Sequence, residues 1–150
     1  MKYLIFSIII LFSLSCSIKN KDAGKKEFPK EQGVSSKTRL HDIWVLRKME
    51  GKSYDHKLVN KQPILEFHVA DMKVMGNDGC NSLAGGIKQL TDSKLVFGSL
   101  MGTKMACPNM DVSYRFTQLL ENVTQFQIKG LSLFLLDKND TVLLELGKVD

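Results

Sequence analysis

The strongest constraint on the fold is a succession of short strand-like segments, joined by links of hairpin length and interrupted once by a helix-like segment. Residues 108–123 place apolar side chains at spacings of three and four, which predicts one amphipathic helix beginning at Pro108. Strands are predicted at residues 43–49, 53–59, 64–69, 72–75, 86–90, 95–97, 124–129, 131–136 and 142–146. Because strands and helices do not alternate, the fold class is predicted as α+β and mostly antiparallel β. We expect a small curved sheet or partly open β-barrel with one amphipathic helix.

The N-terminus has the pattern of an export signal. A short basic start precedes residues 3–14, an apolar run that is too short to span a bilayer. Small residues then lead to Cys16, and this arrangement resembles a lipobox, in which the cysteine is lipidated and becomes the first residue after cleavage. Ser13 stands where lipoboxes usually have leucine, so an ordinary cleaved signal stays open as an alternative. We predict a lipoprotein signal peptide at residues 1–15 and a lipid anchor on Cys16.

Positive charge is concentrated after the lipidation site. Residues 17–39 hold seven Lys and Arg against three Asp and Glu, with few large apolar side chains, so residues 16–39 are predicted to be a lipidated cysteine plus a flexible basic tether. Residues 40–150 hold thirteen charges of each sign and form the predicted domain. Since nucleic-acid binding requires a basic face on the folded domain, we expect no nucleic-acid partner. The tether either lies near anionic headgroups or is a solvated linker.

Two short motifs carry a family resemblance. A strand leads into Gly-Asn-Asp-Gly-Cys-Asn at residues 76–81, and Thr-Lys-Met-Ala-Cys at residues 103–107 precedes the predicted helix. With Trp-Val-Leu at residues 44–46, this order resembles the META domain of the HslJ-like envelope proteins over residues 40–147. The residues that match the family motif are Gly76, Gly79, Cys80, Asn81, Gly85, Thr103, Met105, Ala106 and Cys107.

The resemblance implies a fold and a cellular role but no chemistry. It implies a small, partly open β-barrel or strongly curved sheet with one helix, in agreement with the strand pattern. HslJ-like proteins are associated with the heat-shock response, envelope integrity and tolerance of the antibiotic novobiocin, without an agreed chemical activity. The chain has neither a Gly-x-Ser-x-Gly nucleophile motif nor a glycine fingerprint for nucleotides. We therefore expect that the protein is not an enzyme.

Cys80 and Cys107 are the cysteines that remain once Cys16 carries lipid. In an oxidising compartment such a pair favours a disulfide, which would stabilise the fold by roughly 3–4 kcal/mol on the chain-entropy model. A redox-active pair and two buried reduced thiols stay open as alternatives, although the close spacing of redox pairs is missing. The cysteines could also recruit a histidine to hold zinc, but His41, His56 and His68 lack ligand-motif spacing, so we expect no metal and no cofactor.

The turn-forming residues offer a structural and a functional interpretation. Gly and Asn tolerate positive φ, and Asn side chains bond nearby backbone, so residues 77–81 are predicted to form a tight turn. Alternatively this loop forms a recognition surface together with residues 103–107. Asp55, Asp71 and Asp78 are predicted to be solvated turn residues rather than an acid/base pair.

Two functions stay open. The first is a non-enzymatic, membrane-anchored envelope lipoprotein that binds another envelope component, protein or lipid, and is monomeric. The second is a carrier that holds an apolar ligand or acyl chain in an opened barrel lined by Met72, Met75, Met101, Met105 and Met110, although the filling of gaps in the core is the favoured role of these methionines. Ser17 is not the aspartate that some bacteria use for inner-membrane retention, which favours the outer membrane.

Overall fold

The computed structural model of the chain describes residues 34–149. The predicted signal peptide, Cys16 and the tether up to residue 33 lie outside these residues. Within the described part of the chain, no helix is both long and apolar enough to cross a membrane.

A single antiparallel sheet makes up most of the structure. In chain order its strands are β1 (Ile43–Met49), β2 (Lys52–Ser53), β3 (Ile64–His68), β4 (Lys73–Asn77), β5 (Ser82–Leu90), β6 (Leu95–Gly102), β7 (Gln125–Lys129), β8 (Ser132–Leu136) and β9 (Val142–Lys148). Across the sheet the order is β6-β5-β4-β3-β1-β9-β8-β7, and β2 pairs with β1. Most neighbours are consecutive in the chain, and β1 with β9 joins the N-terminal strands to the C-terminal hairpin.

The sheet curls until its two edge strands meet at their starts. Lys94 forms an isolated antiparallel bridge with Gln125, and the backbone N–H of Leu95 donates to the carbonyl of Thr124 at 3.1 Å. Within residues 34–149 no longer ladder joins β6 to β7, so the barrel is partly open. The predicted fold class is therefore confirmed.

Among residues 34–149 two α-helices accompany the sheet, α1 (Ser36–Leu40) and α2 (Asp111–Glu121), with a short 3₁₀ turn at His56–Leu58. The apolar stripe of α2 packs into the curl of the sheet, because its buried residues recur at helical spacing: Val112, Phe116, Leu119 and Leu120. The largest side chains of this core, each at most 1 % exposed, are Trp44, Phe67, Phe116 and Phe126. Full burial of one such side chain stabilises the fold by about 1.5–3 kcal/mol.

An ion pair joins the exposed side of α2 to the β1–β2 turn. Arg115 forms two hydrogen bonds with the carboxylate of Glu50 in the β1–β2 turn. The hydrogen bond from Arg115 holds the pKa of Glu50 below its usual range. Both side chains are about half exposed, so the pair orients the helix more than it stabilises the fold.

The end of the predicted tether is part of the folded unit. Ser35 caps α1 by accepting a hydrogen bond from the backbone N–H of Thr38. The backbone N–H of Lys37 donates to Asp92 at 3.0 Å, and this bond is the main reason why the pKa of Asp92 is lowered. Leu40 is completely buried, and its carbonyl accepts a hydrogen bond from the Trp44 indole at 3.0 Å. The folded domain therefore includes residues before residue 40.

Two element boundaries differ from the sequence-based prediction. The strand predicted at residues 53–59 is wrong beyond Ser53, because Asp55 accepts a hydrogen bond from the backbone N–H of Lys57 and starts the 3₁₀ turn. Helix α2 begins at Asp111 rather than Pro108, since the Asn109 side chain accepts a hydrogen bond from the Asp111 backbone N–H.

Candidate functional site

The loop between β4 and β5 is organised by its own side chains. Asn77 accepts a hydrogen bond from the backbone N–H of Gly79 at 3.0 Å, and Gly79 adopts φ 102°, a conformation that favours glycine. Oδ1 of Asp78 accepts from the backbone N–H groups of Cys80 at 2.9 Å and Asn81 at 2.6 Å. The predicted tight turn is confirmed, and its polar side chains satisfy the backbone donors of the loop.

Asn81 connects this loop to the segment that follows β6. Its Oδ1 accepts a hydrogen bond from the Thr103 hydroxyl at 3.1 Å and from the backbone N–H of Met105 at 2.7 Å. The Thr103 hydroxyl also accepts from the backbone N–H of Ser82 at 3.1 Å. The two motifs noted in the sequence are therefore one hydrogen-bonded unit at one end of the sheet.

A disulfide between Cys80 and Cys107 closes the same unit, with a Cα–Cα distance of 6.1 Å. The predicted bond is confirmed, and neither sulfur is available as a thiolate ligand for a metal. The side-chain amide of Asn60 donates to the sulfur of Cys107 at 3.1 Å, and the Asn60 backbone N–H donates to the carbonyl of Gly79 at 3.1 Å. A third segment therefore packs against the disulfide.

The predicted metal-candidate histidines lie elsewhere. His41 accepts a hydrogen bond from the backbone N–H of Val69, and its ring lies 6.0 Å from that of His68. His56 contacts the ring of Tyr54. Among the described residues, no group of three or more His, Cys, Asp or Glu side chains is arranged to hold a metal ion.

The glycines of the motif permit close approach of neighbouring strands. A Cβ on Gly76 would collide with the backbone carbonyl of Ile64 on β3. A Cβ on Gly85 would lie 2.7 Å from the carbonyl oxygen of Ser99 on β6. Of the remaining motif residues, Met105 and Ala106 are exposed. Most of the motif is thus explained by the architecture of the sheet and the stapled loop.

Asp78 departs from its predicted role as a solvated turn residue. Only 4 % of its surface is exposed, and it lines a groove together with residues of α2. Asp71 lies in an exposed turn, as predicted. The position of Asp78 could not be inferred from the turn-forming residues around it, since the helix on the other side of the groove is more than thirty positions away in the chain.

A shallow groove of about 280 Å³ separates α2 from the β4–β5 loop. Its lining combines two buried polar side chains of the loop with one face of the helix: Asp78, Asn81, Met110, Ser113, Tyr114, Thr117, Gln118 and Glu121. The lining includes two carboxylates and no Lys or Arg. We call this feature the α2 groove; it was not predicted from the sequence.

The methionines proposed as the lining of an interior cavity lie mainly on the outside. Met75, Met101, Met105 and Met110 are between 37 % and 71 % exposed. Met72 packs against the core from its periphery. The interior is filled instead by aromatic and aliphatic side chains from the sheet and α2. The predicted methionine-lined ligand cavity is therefore wrong.

The chain is similar to known proteins both in sequence and in fold. The family model of the META domain matches residues 38–149. A protein structure determined by NMR has a TM-score of 0.59 and 21 % identity, and the match covers 77 % of this chain and 96 % of that one. An NMR structure from Burkholderia xenovorans has a TM-score of 0.56 and 21 % identity, covering 86 % and 97 %.

A third similar structure is the crystal structure of a DUF4847 family protein from Bacteroides vulgatus. Its TM-score is 0.51 at 15 % identity, and the match covers 74 % of this chain and 96 % of that one. No curated protein matches the chain. At identities of 15–21 %, these similarities show a shared fold and nothing further.

Proposed function

Because this chain belongs to the META domain family, we propose that it is a lipid-anchored envelope protein that acts by binding another envelope component rather than by catalysis. In this proposal Cys16 carries the lipid, residues 16–39 include the tether, and the domain is presented at the membrane surface. The binding supports envelope integrity, including tolerance of stress and of novobiocin-type antibiotics.

The observation that carries the proposal is the Cys80–Cys107 disulfide. Disulfides form and persist in oxidising compartments outside the bacterial cytoplasm, which is where the N-terminal signal would deliver the domain. Cys80 is only 2 % exposed and its loop is tied to Thr103 and Met105, so the bond is a structural staple. An exported, stapled domain agrees with a role at the envelope.

Binding is favoured over transport of an apolar ligand because of how the interior is filled. Trp44, Phe67 and Phe116 are at most 1 % exposed and pack together in the curl of the sheet. An acyl chain would have to displace such side chains. The surface, in contrast, offers the α2 groove, with polar groups converging from two elements.

The anchor is tested by intact-mass measurement of the full chain isolated from bacterial membranes, beside a Cys16→Ala variant. We expect the wild type to lack residues 1–15 and to carry acyl chains, and the variant to carry none. Cleavage at another position without acyl mass would contradict the anchor and leave an ordinary exported protein. Thiol labelling before reduction would contradict the exported, oxidised state.

The envelope role is tested in a strain that lacks this chain. We expect greater sensitivity to novobiocin and to heat, restored by the wild type and poorly restored by Cys16→Ala. Equal sensitivity of the deleted and complemented strains would refute the role. A lipid retained by the domain in a native mass spectrum would instead support the carrier.

A further inference from the structure

The α2 groove has an unusual charge arrangement. Asp78 lines the groove, and only 4 % of its surface is exposed. Its Oδ1 is occupied by two loop N–H groups, whereas Oδ2 accepts no hydrogen bond from residues 34–149 and is in contact with solvent. An unpaired carboxylate oxygen that is open to solvent is available to a donor on a ligand, and a charged donor makes the stronger hydrogen bond.

The rest of the lining adds negative charge and donors but no positive charge. Glu121 is a second carboxylate, exposed on the last turn of α2. The nearest cationic residue on the helix, Arg115, is not part of the lining and is bound to Glu50. An anionic ligand would therefore be repelled, and a cationic group would meet two carboxylates.

Size and shape narrow the ligand further. A groove of about 280 Å³ is at the lower limit of small-molecule pockets, which fits one side chain better than a cofactor. Tyr114, 68 % exposed, lies in the lining and offers a ring on which a guanidinium group or an aliphatic stem can pack. The lining of the groove thus combines an aromatic ring with two carboxylates.

We propose that the α2 groove binds a basic side chain, a guanidinium or ammonium group, presented by a partner polypeptide. Asp78 Oδ2 accepts a charge-assisted hydrogen bond from the cation, Glu121 adds long-range attraction, and the Tyr114 ring packs on the stem. This inference rests on the binding function proposed above, because that function supplies the partner. It adds the chemical class of the group that the partner presents. The charge preference of the groove is independent of the anchor.

The test uses the ¹⁵N-labelled full chain in nonionic detergent. The probe is N-acetylarginine methylamide, and its uncharged control is the corresponding citrulline compound, which has nearly the same shape. We expect saturable shifts of backbone amides around Asp78, Asn81 and Tyr114, with binding at least about tenfold weaker for the citrulline compound. The arginine probe should also bind more weakly as salt is raised from about 50 to 500 mM.

Asp78→Asn is the decisive variant, because an asparagine Oδ1 can still accept from the Cys80 and Asn81 N–H groups while the charge is lost. We expect it to weaken binding of the arginine probe about tenfold. Asp137→Asn is the matched control: Asp137 Oδ1 also accepts two loop N–H groups, from Asn139 and Thr141, but it does not line the groove. That variant should bind as the wild type does.

Glu121→Gln keeps the test valid if Asp78→Asn disturbs the loop. Glu121 is exposed at the helix end, so its change should leave the spectrum intact and weaken binding about threefold. Equal binding of the citrulline compound, shifts remote from the groove, or unchanged affinity of well-folded Asp78→Asn would overturn the proposal. Binding of ethanolamine as tight as that of the arginine probe would overturn the assignment to a polypeptide side chain. None of these results depends on lipidation of Cys16.

Discussion

Loss of the Cys80–Cys107 disulfide should lower the free energy of unfolding without abolishing the fold. The bond joins residues 27 positions apart, and closing a loop of that length removes chain entropy from the unfolded state worth about 3.5 kcal/mol at 25 °C. For a domain of this size each kcal/mol corresponds to about 4 °C in melting temperature, so we expect a decrease of about 14 °C.

The native state should survive because the same two segments are joined by other contacts. Asn81 still accepts hydrogen bonds from Thr103 and Met105, and the β5–β6 ladder continues up to Gly102. The reduced protein should therefore unfold cooperatively, with the circular dichroism of the oxidised protein at low temperature.

The assay is thermal and urea unfolding with and without a strong thiol reductant, for the wild type and for Cys80→Ala/Cys107→Ala. The double variant removes both sulfurs without burying a hydroxyl at the Cys80 position, and reductant should not change its stability. A difference below about 1 kcal/mol between oxidised and reduced wild type would refute the loop-entropy argument. A reductant effect on the double variant would show that the change arises elsewhere.

Three further changes test the fold. Gly76→Ala should reduce stability by more than about 3 kcal/mol or prevent folding, because the new methyl group would collide with the backbone of β3; the soluble yield and urea midpoint measure this. Phe116→Ala should cost about 3–5 kcal/mol, since the ring is completely buried, whereas Tyr114→Ala should change the same urea midpoint by less than about 0.5 kcal/mol. Burial by itself would raise the pKa of Asp42. Hydrogen bonds from the Lys148 ammonium group and the Ile43 backbone N–H lower it by more, so the pKa lies below its usual range. This carboxylate therefore stabilises the fold above the pKa of the unfolded chain and loses that effect as pH falls through the folded value, so Asp42→Asn should flatten the decline of the urea midpoint between about pH 5 and 2.

Several elements could be predicted because their patterns are local. Short apolar segments bounded by turn-forming residues placed β1, β3 and β8 within a residue or two of their observed bounds. The stripe on α2 likewise marked its buried face. Cysteine parity favoured the disulfide, because an exported chain with two remaining thiols tends to pair them.

The strands that were predicted too short are rich in glycine. β5 extends back to Ser82 and β6 forward to Gly102, through Gly85, Gly86 and Gly98. Glycine is usually a sign of a turn, but here it lies where strongly curved strands approach closely, as the missing space beside Gly85 shows. Local propensity could not distinguish these cases, because the distance of approach is a property of the folded sheet.

The amino-acid sequence by itself was enough to predict the class of the fold, the amphipathic helix that precedes β7, the disulfide as the favoured state of Cys80 and Cys107, and the resemblance to the family. These depend on periodicity, composition and short motifs, which neighbouring residues express without reference to the rest of the chain. Only the tertiary structure decided that Asn81 joins two motifs, that most of the candidate methionines are exposed and that Asp78 is buried beside a groove that α2 also lines. Burial of a polar group depends on which distant element covers it, and that contact exists only once the sheet has curled around the helix.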